Sequence, residues 1–256
     1  MNNLSHLIRK FNRFELKYMV PLKTAERFKH DLQAYLNPDD HGDRHGAYQI
    51  SSLYFDSPDY RFYWEKVDGI KFRRKLRIRH YDRGEPLTEA APVFVEIKQR
   101  HNRVTQKRRA ELPYRQALNL CTQRQVPLFQ VQDAPVIDEV TGMLWEYNLQ
   151  PASLVSYSRQ ALVGIEYDIG LRVTFDTNLR YSRPENGLFS ADEGYLLFPP
   201  EFAIVEIKAN ERIPYWLTEM VAAHNLNLMR VSKYCRSIEL MQNFQNSMSP
   251  VFSLQV

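Results

Sequence analysis

Ala203-Ile204-Val205-Glu206-Ile207-Lys208 sets the pattern for this chain. β-Branched residues dominate it, so it reads as a strand. Successive side chains of a strand point to opposite faces. Ala203, Val205 and Ile207 then share one face, and Ile204, Glu206 and Lys208 share the other. The phrase returns at Val95-Glu96-Ile97-Lys98, and a variant stands at Phe14-Glu15-Leu16-Lys17. Each puts one carboxylate and one ammonium on one strand face, two residues apart. Three such copies point to several strands sending charge to one shared place.

The other strands repeat this division. Val93, Val95 and Ile97 oppose Glu96, Lys98 and Arg100; Leu76 and Ile78 oppose Arg77 and Arg79. Leu171, Val173 and Phe175 oppose Arg172, Thr174 and Asp176, while Tyr157 shares a face with Arg159, and Lys107 with Arg109. Two arrangements fit. In one, the charged faces meet bulk water and the apolar faces form a sandwich core. In the other, the sheet curls with its charged faces inward, and helices cover the apolar outside. An unpaired buried charge costs several kcal/mol, and three glutamates cannot neutralise so many cations. Such an interior must hold water and a multivalent anion, with a metal expected beside it. Arginine recurs where planar donors can grip phosphate oxygens.

A length of 256 residues fits one large domain or two small ones, and a hydrophobic share of 44% suffices for a core. The formal charge is only +4, so clustering of the basic residues says more than their sum. Cys121 and Cys235 lie in helix-like segments without metal spacing, and read as buried free thiols of a reducing compartment. No apolar run is long enough to span a bilayer. The first seven residues lack the apolar region of a signal peptide. The expectation is a soluble cytoplasmic protein.

Periodicity predicts strands over Phe11 to Val20, Tyr48 to Phe55, Lys71 to Tyr81, Ser153 to Val163, Leu171 to Tyr181 and Phe202 to Lys208. A short one is predicted at Tyr195 to Phe198. Val93 to Arg100 and Val104 to Leu112 read as a hairpin around His101-Asn102. Helices are predicted over Ala25 to Leu36 with Thr24 as N-cap, Tyr60 to Lys66, Tyr114 to Gln123, Val136 to Tyr147, Pro214 to Asn225 and Lys233 to Phe244. No linker stands out, so residues 1–256 read as one domain with a core of about 11–244 and a frayed tail after Ser247.

Several chemistries are disfavoured. The seven histidines, His41 and His45 included, show no metal-ligand spacing; Ser156 and Ser158 lack a nearby His/Asp arrangement. There is no P-loop and no dinucleotide fingerprint. Arg73-Arg74-Lys75 is a weak candidate for a nucleic-acid patch, and no nucleic-acid partner is expected. Tyr60, Phe62, Tyr63 and Trp64 read as packing residues.

Phe14-Glu15-Leu16-Lys17-Tyr18, Ser52-Leu53-Tyr54-Phe55-Asp56, Leu76-Arg77-Ile78-Arg79, Val95-Glu96-Ile97-Lys98, Tyr157-Ser158-Arg159, Arg172-Val173-Thr174-Phe175-Asp176-Thr177-Asn178-Leu179, Val205-Glu206-Ile207-Lys208 and Ser232-Lys233-Tyr234 follow in this order. The ordered set, from about Arg13 to Leu240, resembles the VTC domain, the polyphosphate polymerase domain of the vacuolar transporter chaperone complex, within the triphosphate tunnel metalloenzyme superfamily. The resemblance implies an α+β fold: a closed antiparallel β-barrel, or tunnel, with a polar basic interior and helices packed outside. It implies transfer of the terminal phosphate of ATP onto a growing polyphosphate chain, with Mn2+ or Mg2+, the hard cations that oxygen ligands favour. By position, Lys17, Arg77, Arg79, Lys98, Arg159, Arg172, Lys208 and Lys233 would grip phosphates. Lys107 and Arg109 match a further basic pair, with Lys107-Arg108-Arg109 leaving the register open. Glu206 would be the main metal ligand, with Glu96 and Glu15 as weaker candidates.

One departure stands at the start. The superfamily often opens with Glu-x-Glu-x-Lys, and here Arg13 takes the first position. This removes a carboxylate from the metal site and resembles the VTC branch more than the hydrolytic triphosphatases. Two alternatives stay open: a metal-dependent hydrolase of triphosphate or polyphosphate, and a non-catalytic module that binds polyphosphate or nucleotide. The expected ligands are ATP or another triphosphate and inorganic polyphosphate. With no span in this chain, any membrane coupling would need a partner subunit.

Overall fold

Alternating apolar and polar positions give most strands two unlike faces, and the chain folds around that difference. The computed structural model describes residues 13–39, 42, 47–82, 84, 87–102, 104–185, 187–190, 194–210 and 212–248. In chain order the elements are β1 (Arg13–Pro21), α1 (Leu22–Leu32), β2 (Leu36–Pro38), β3 (Ala47–Asp56), α2 (Arg61–Val67), β4 (Phe72–Asp82), β5 (Pro92–His101), β6 (Val104–Pro113), α3 (Tyr114–Gln123), α4 (Ala134–Glu146), β7 (Gln150–Gly164), β8 (Arg172–Ser182), β9 (Tyr195–Leu196), β10 (Phe202–Asn210), α5 (Tyr215–Ala223) and α6 (Lys233–Met248). The tail after residue 248, the segment before residue 13, and His6, His41 and His45 lie outside the described residues.

All ten strands join one antiparallel sheet, ordered β1-β10-β8-β7-β3-β4-β5-β6, with β2 added on β7 and β9 on β8. The expected closed barrel is not formed. β1 and β6 are the two ends of the ladder, and no pairing joins them. The outer edge of β1 is taken instead by the chain before α6: the Met229 N–H donates to the Lys17 carbonyl at 2.8 Å, and Tyr18 bridges Leu228. Those backbone groups are spent, so β6 has no edge to pair with there. The sheet still curls strongly. Lys98 Nζ on β5 lies 3.1 Å from Glu15 Oε2 on β1, six places away in the sheet order. Side chains span the gap that backbone leaves open.

The apolar strand faces look outward onto helices. Leu76, Ile78, Val95 and Ile97 pack with Leu120 of α3 and Ile137 and Val140 of α4. Val173, Val205 and Ile207 pack with Phe28 and Leu32 of α1 and Leu217 of α5. Each fully buried side chain of this kind contributes about 1.5–3 kcal/mol. α6 departs from the expectation that helices pack outside. Its Tyr234, Cys235 and Ile238 pack with Tyr54, Tyr157 and Ile204, which share the inner strand face with the charged groups. The helix therefore fills one end of that face. Both cysteines are buried and free.

Element ends show where local signals misled. α1 starts at Leu22, with Pro21 (φ −54°, ψ 140°) as its cap and no side-chain cap bond; Thr24 is already inside the helix. Leu36 continues the helical spacing of Phe28 and Leu32 but sits in β2, opposite Gly164. It reaches the same core cluster by a different backbone. The β5–β6 hairpin turns at Asn102, whose φ of 53° suits asparagine.

Asp56 at the end of β3 is buried. Its Oδ1 accepts from the Ser57 and Phe62 N–H groups, each at 2.8 Å, and Oδ2 accepts from the Tyr63 N–H at 3.0 Å and from the Tyr234 hydroxyl. One carboxylate thus serves the first turn of α2 and ties it to α6. Asp56→Ala is expected to lower the unfolding free energy by about 2–4 kcal/mol and Tyr234→Phe by about 1 kcal/mol in urea titrations. A loss below about 0.5 kcal/mol for Asp56→Ala would show that this tie is not holding the helices.

Candidate functional site

The inner face is built by strand alternation, which carries charge from β1 through β6 onto one surface. On one wall, Glu206 of β10 is buried among four cations. Lys17 of β1 lies 3.2 Å away, Lys208 2.9 Å, Lys233 of α6 2.9 Å and an Arg159 nitrogen of β7 3.9 Å. Burial alone would raise the Glu206 pKa, but Lys17, Lys208, Lys233 and Arg159 together hold it well below the carboxylate range. Asp176 of β8 takes a two-pronged contact from Arg159, at 2.6 and 2.7 Å, and lies 2.6 Å from Lys233. Burial opposes its ionisation, yet Arg159 and Lys233 lower its pKa overall. Glu15 lies 3.1 Å from both Lys17 and Lys98.

The facing wall comes from β3 to β6. Arg77 donates to Glu96 Oε2 at 2.9 and 2.7 Å and to the Tyr54 hydroxyl at 3.1 Å. Lys107 Nζ lies 2.5 Å from Glu96 Oε1. Arg79 is buried, donating to Ser52 Oγ at 3.0 Å and the Tyr157 hydroxyl at 3.2 Å. Among the described residues no carboxylate forms a direct salt bridge with Arg79, although Glu96 acts on it from nearby. Lys75 donates to Ser232 Oγ at 3.0 Å and stands 4.9 Å from the Tyr234 ring centre. Burial pushes the Tyr54 hydroxyl up, but Arg77, Arg79 and Lys75 pull its pKa down to about 7.

Of the residues singled out from the sequence, Lys17, Arg77, Arg79, Lys98, Lys107, Arg159, Lys208 and Lys233 share these two walls. Arg172 stands opposite Lys208, where it meets Asp39 and donates to the Tyr48 hydroxyl at 2.8 Å. Arg109 lies on the exposed edge strand, its guanidinium 4.3 Å from the Phe94 ring centre. The register of the basic run is now set. Lys107 and Arg109 are opposite Lys98 and Glu96, while Arg108 pairs with Glu139 of α4 at 2.5 Å.

Glu15, Glu96 and Glu206 do not converge on one point. Glu15 and Glu206 share Lys17, whereas Glu96 serves Arg77 and Lys107. Among the described residues no group of three or more His, Cys, Asp or Glu is placed to hold a metal ion. Thr174 Oγ1, opposite Glu206, is buried without a hydrogen-bond partner, but it is a single oxygen where a hard cation wants about six. These donors form no all-protein cage; Glu206 with Thr174 would hold a divalent ion together with oxygens of a phosphate ligand.

Sequence reasoning missed Lys75, Asp176, Tyr54 and Tyr157 as members of the site. The signal was present for three of them: Lys75 precedes Arg77 by two residues, and Asp176 continues the alternation of Arg172 and Thr174. Alternation also put Tyr157 on the face of Arg159, whereas Tyr54 joins through its contacts with Arg77 and Tyr234, which no local pattern reports.

The VTC domain family model matches residues 12–242. One relative, vacuolar transporter chaperone complex subunit 4 of Trypanosoma brucei brucei, is 25% identical over 223 residues, which cover 74% of this chain and 28% of that protein. The chain thus corresponds to little more than a quarter of that relative's length. Among solved structures, a proposed adenylate cyclase of Bacillus halodurans is 17% identical with a TM-score of 0.49, over 85% of this chain and 92% of that one. A proposed adenylyl cyclase of Hippeastrum, described as having a dominant triphosphatase activity, is 12% identical with a TM-score of 0.45, over 88% and 94%.

Lys208 carries a pH consequence. Burial pushes its ammonium down to about 7; Glu206 opposes this and Arg159 adds to it. A bound polyanion favours the charged form and raises that pKa. Binding above neutral pH must then take up a proton. Tripolyphosphate affinity should fall as pH rises from 7 to about 9, with proton uptake visible by calorimetry in buffers of different ionisation enthalpy. Lys208→Arg, charged throughout, should flatten the profile. A wild-type affinity that is level across this range would refute the assignment.

Proposed function

The chain belongs to the VTC domain family, and on that premise we propose that it moves the terminal phosphate of ATP, or of another triphosphate, onto the end of an inorganic polyphosphate chain. The observation that carries this reading is Arg79, a buried guanidinium whose described partners are hydroxyls. Glu96 acts on Arg79 but is contacted directly by Arg77 and Lys107, so Arg79 keeps donors that an anion on the inner face can take up.

An oxygen of the polymer's terminal phosphate attacks the terminal phosphorus of the triphosphate. One phosphoanhydride bond forms, the bond to the departing diphosphate breaks, and the diphosphate keeps the electron pair. The attacking oxygen is already anionic, so no strong general base is needed. What the reaction needs is alignment and neutralisation of charge. Lys17, Arg159, Lys208 and Lys233 supply these from one wall, and Arg77, Arg79, Lys98 and Lys107 from the other. Arg172 and Arg109 extend the grip at the margins. Phosphate oxygens take over donors now held by Glu206, Asp176 and Glu96. A divalent ion, magnesium or manganese, enters on this reading as the triphosphate's own counter-ion, part of the substrate.

No helix among the described residues is long and apolar enough to cross a membrane. On this reading, delivery of product across a bilayer involves a membrane-embedded partner. The test is incubation with ATP and manganese, followed by gel analysis. Polymer growth is the expected result. Free phosphate without polymer would select a hydrolase, and tight binding without turnover a binding module.

Arg79→Gln separates function from folding. It should weaken tripolyphosphate binding by about 10–100-fold, the worth of a charge-assisted contact. Thermal stability should change little, because Glu96 keeps its direct contacts with Arg77 and Lys107 and the desolvation cost of one buried guanidinium is removed. Arg79→Lys keeps the charge but loses the planar fork and should recover only part of the affinity. Unchanged binding in Arg79→Gln would sink the role given to this residue.

A further inference from the structure

The inner basic stripe does not end at Lys75 and Lys98. Two residues further along the same strand faces stand Arg73 on β4 and Arg100 on β5, directly opposite each other. Like charges set face to face across a ladder are destabilising, so this pair needs a reason. Lys66 in the last turn of α2 and Arg230 in the segment before α6 bring two more cations to the same place. Burial and then Arg73, Arg100 and Arg230 push the Lys66 ammonium down, and burial and Arg100 do the same to Arg73, with Cys235 in the first turn of α6 opposing the shift in both. The opposing charge is slight. Glu65 is the carboxylate that acts on Arg73, and it already pairs with Arg61 at 3.3 Å. Arg100 donates to the Asn102 carbonyl at 2.8 Å. Among the described residues none of these four cations has a salt-bridge partner.

We propose that Lys66, Arg73, Arg100 and Arg230 form an exit collar that grips the distal part of a long polyphosphate as it leaves the inner face between the start of β4 and the end of β5. The proposal rests on the reading that the inner face holds the reacting phosphates. Inward-facing cations on one strand recur about every 7 Å. A polymer with charge on every unit meets each of them in any register, so it can slide as it lengthens. A nucleic acid would need its bases accommodated as well, and the inward positions of β4 from Arg73 to Arg79 are all cationic.

The test is the double variant Arg73→Gln/Arg100→Gln, with tripolyphosphate and long-chain polyphosphate as competing ligands in a fluorescence anisotropy assay. Wild type should prefer the long chain. The variant should lose roughly tenfold in long-chain affinity and part of its salt dependence, and tripolyphosphate affinity should stay the same. Its melting temperature should hold or rise, since two opposed guanidinium groups are gone; this separates lost binding from lost folding. Retained long-chain affinity overturns the collar, as does an equal loss for both ligands. A wild-type chain that binds neither anion overturns the reading of the inner face and the collar with it. A single-stranded oligonucleotide that displaces long-chain polyphosphate through these same residues would assign the patch to nucleic acid instead.

Discussion

The contacts of one buried carboxylate organise the molecule. Glu206 gathers Lys17, Lys208, Lys233 and Arg159 from β1, β10, α6 and β7. Its negative charge is tolerable only because those cations surround it, and they tolerate one another only because it is there. Asp176 does the same for Arg159 and Lys233. Packing of α6 against the inner face follows, because Lys233 reaches both carboxylates from the first residue of that helix.

The second wall is arranged differently. Glu96 balances Arg77 and Lys107, while Arg79 and Lys75 are left with hydroxyl, thiol and ring partners. The balance of charge is therefore nearly met on one side and unmet on the other. On the proposed reading, a multivalent anion complements that asymmetry. The pull of three cations on Tyr54 reports the same local excess.

The opening between the end strands β1 and β6 is crossed by the contact of Lys98, on β5, with Glu15. A partly exposed pair of this kind is worth about 0–1 kcal/mol. Backbone ladders elsewhere in the sheet hold far more. The seam is thus the weakly held line of the inner face. Its edge on the β1 side is protected by the Met229 contact to Lys17, which keeps that strand from pairing with anything else.

Periodicity determined a great deal. It placed Glu206 with Lys208, Glu96 with Lys98 and Glu15 with Lys17 on one face, and it set the bounds of α3 and the hairpin at Asn102. These are local facts, since a strand's two faces and a helix's stripe depend only on residues a few positions apart. What the chain alone could not decide was anything that depends on distant segments meeting. Whether the ladder closes depends on the Leu228–Met229 segment reaching β1 before β6 does. Whether Leu36 ends a helix or begins a strand depends on β7 being beside it. Whether α6 lies outside or within depends on Lys233 finding Asp176 and Glu206. Each of these is a competition for one edge or one charge, and only the assembled structure holds all the competitors.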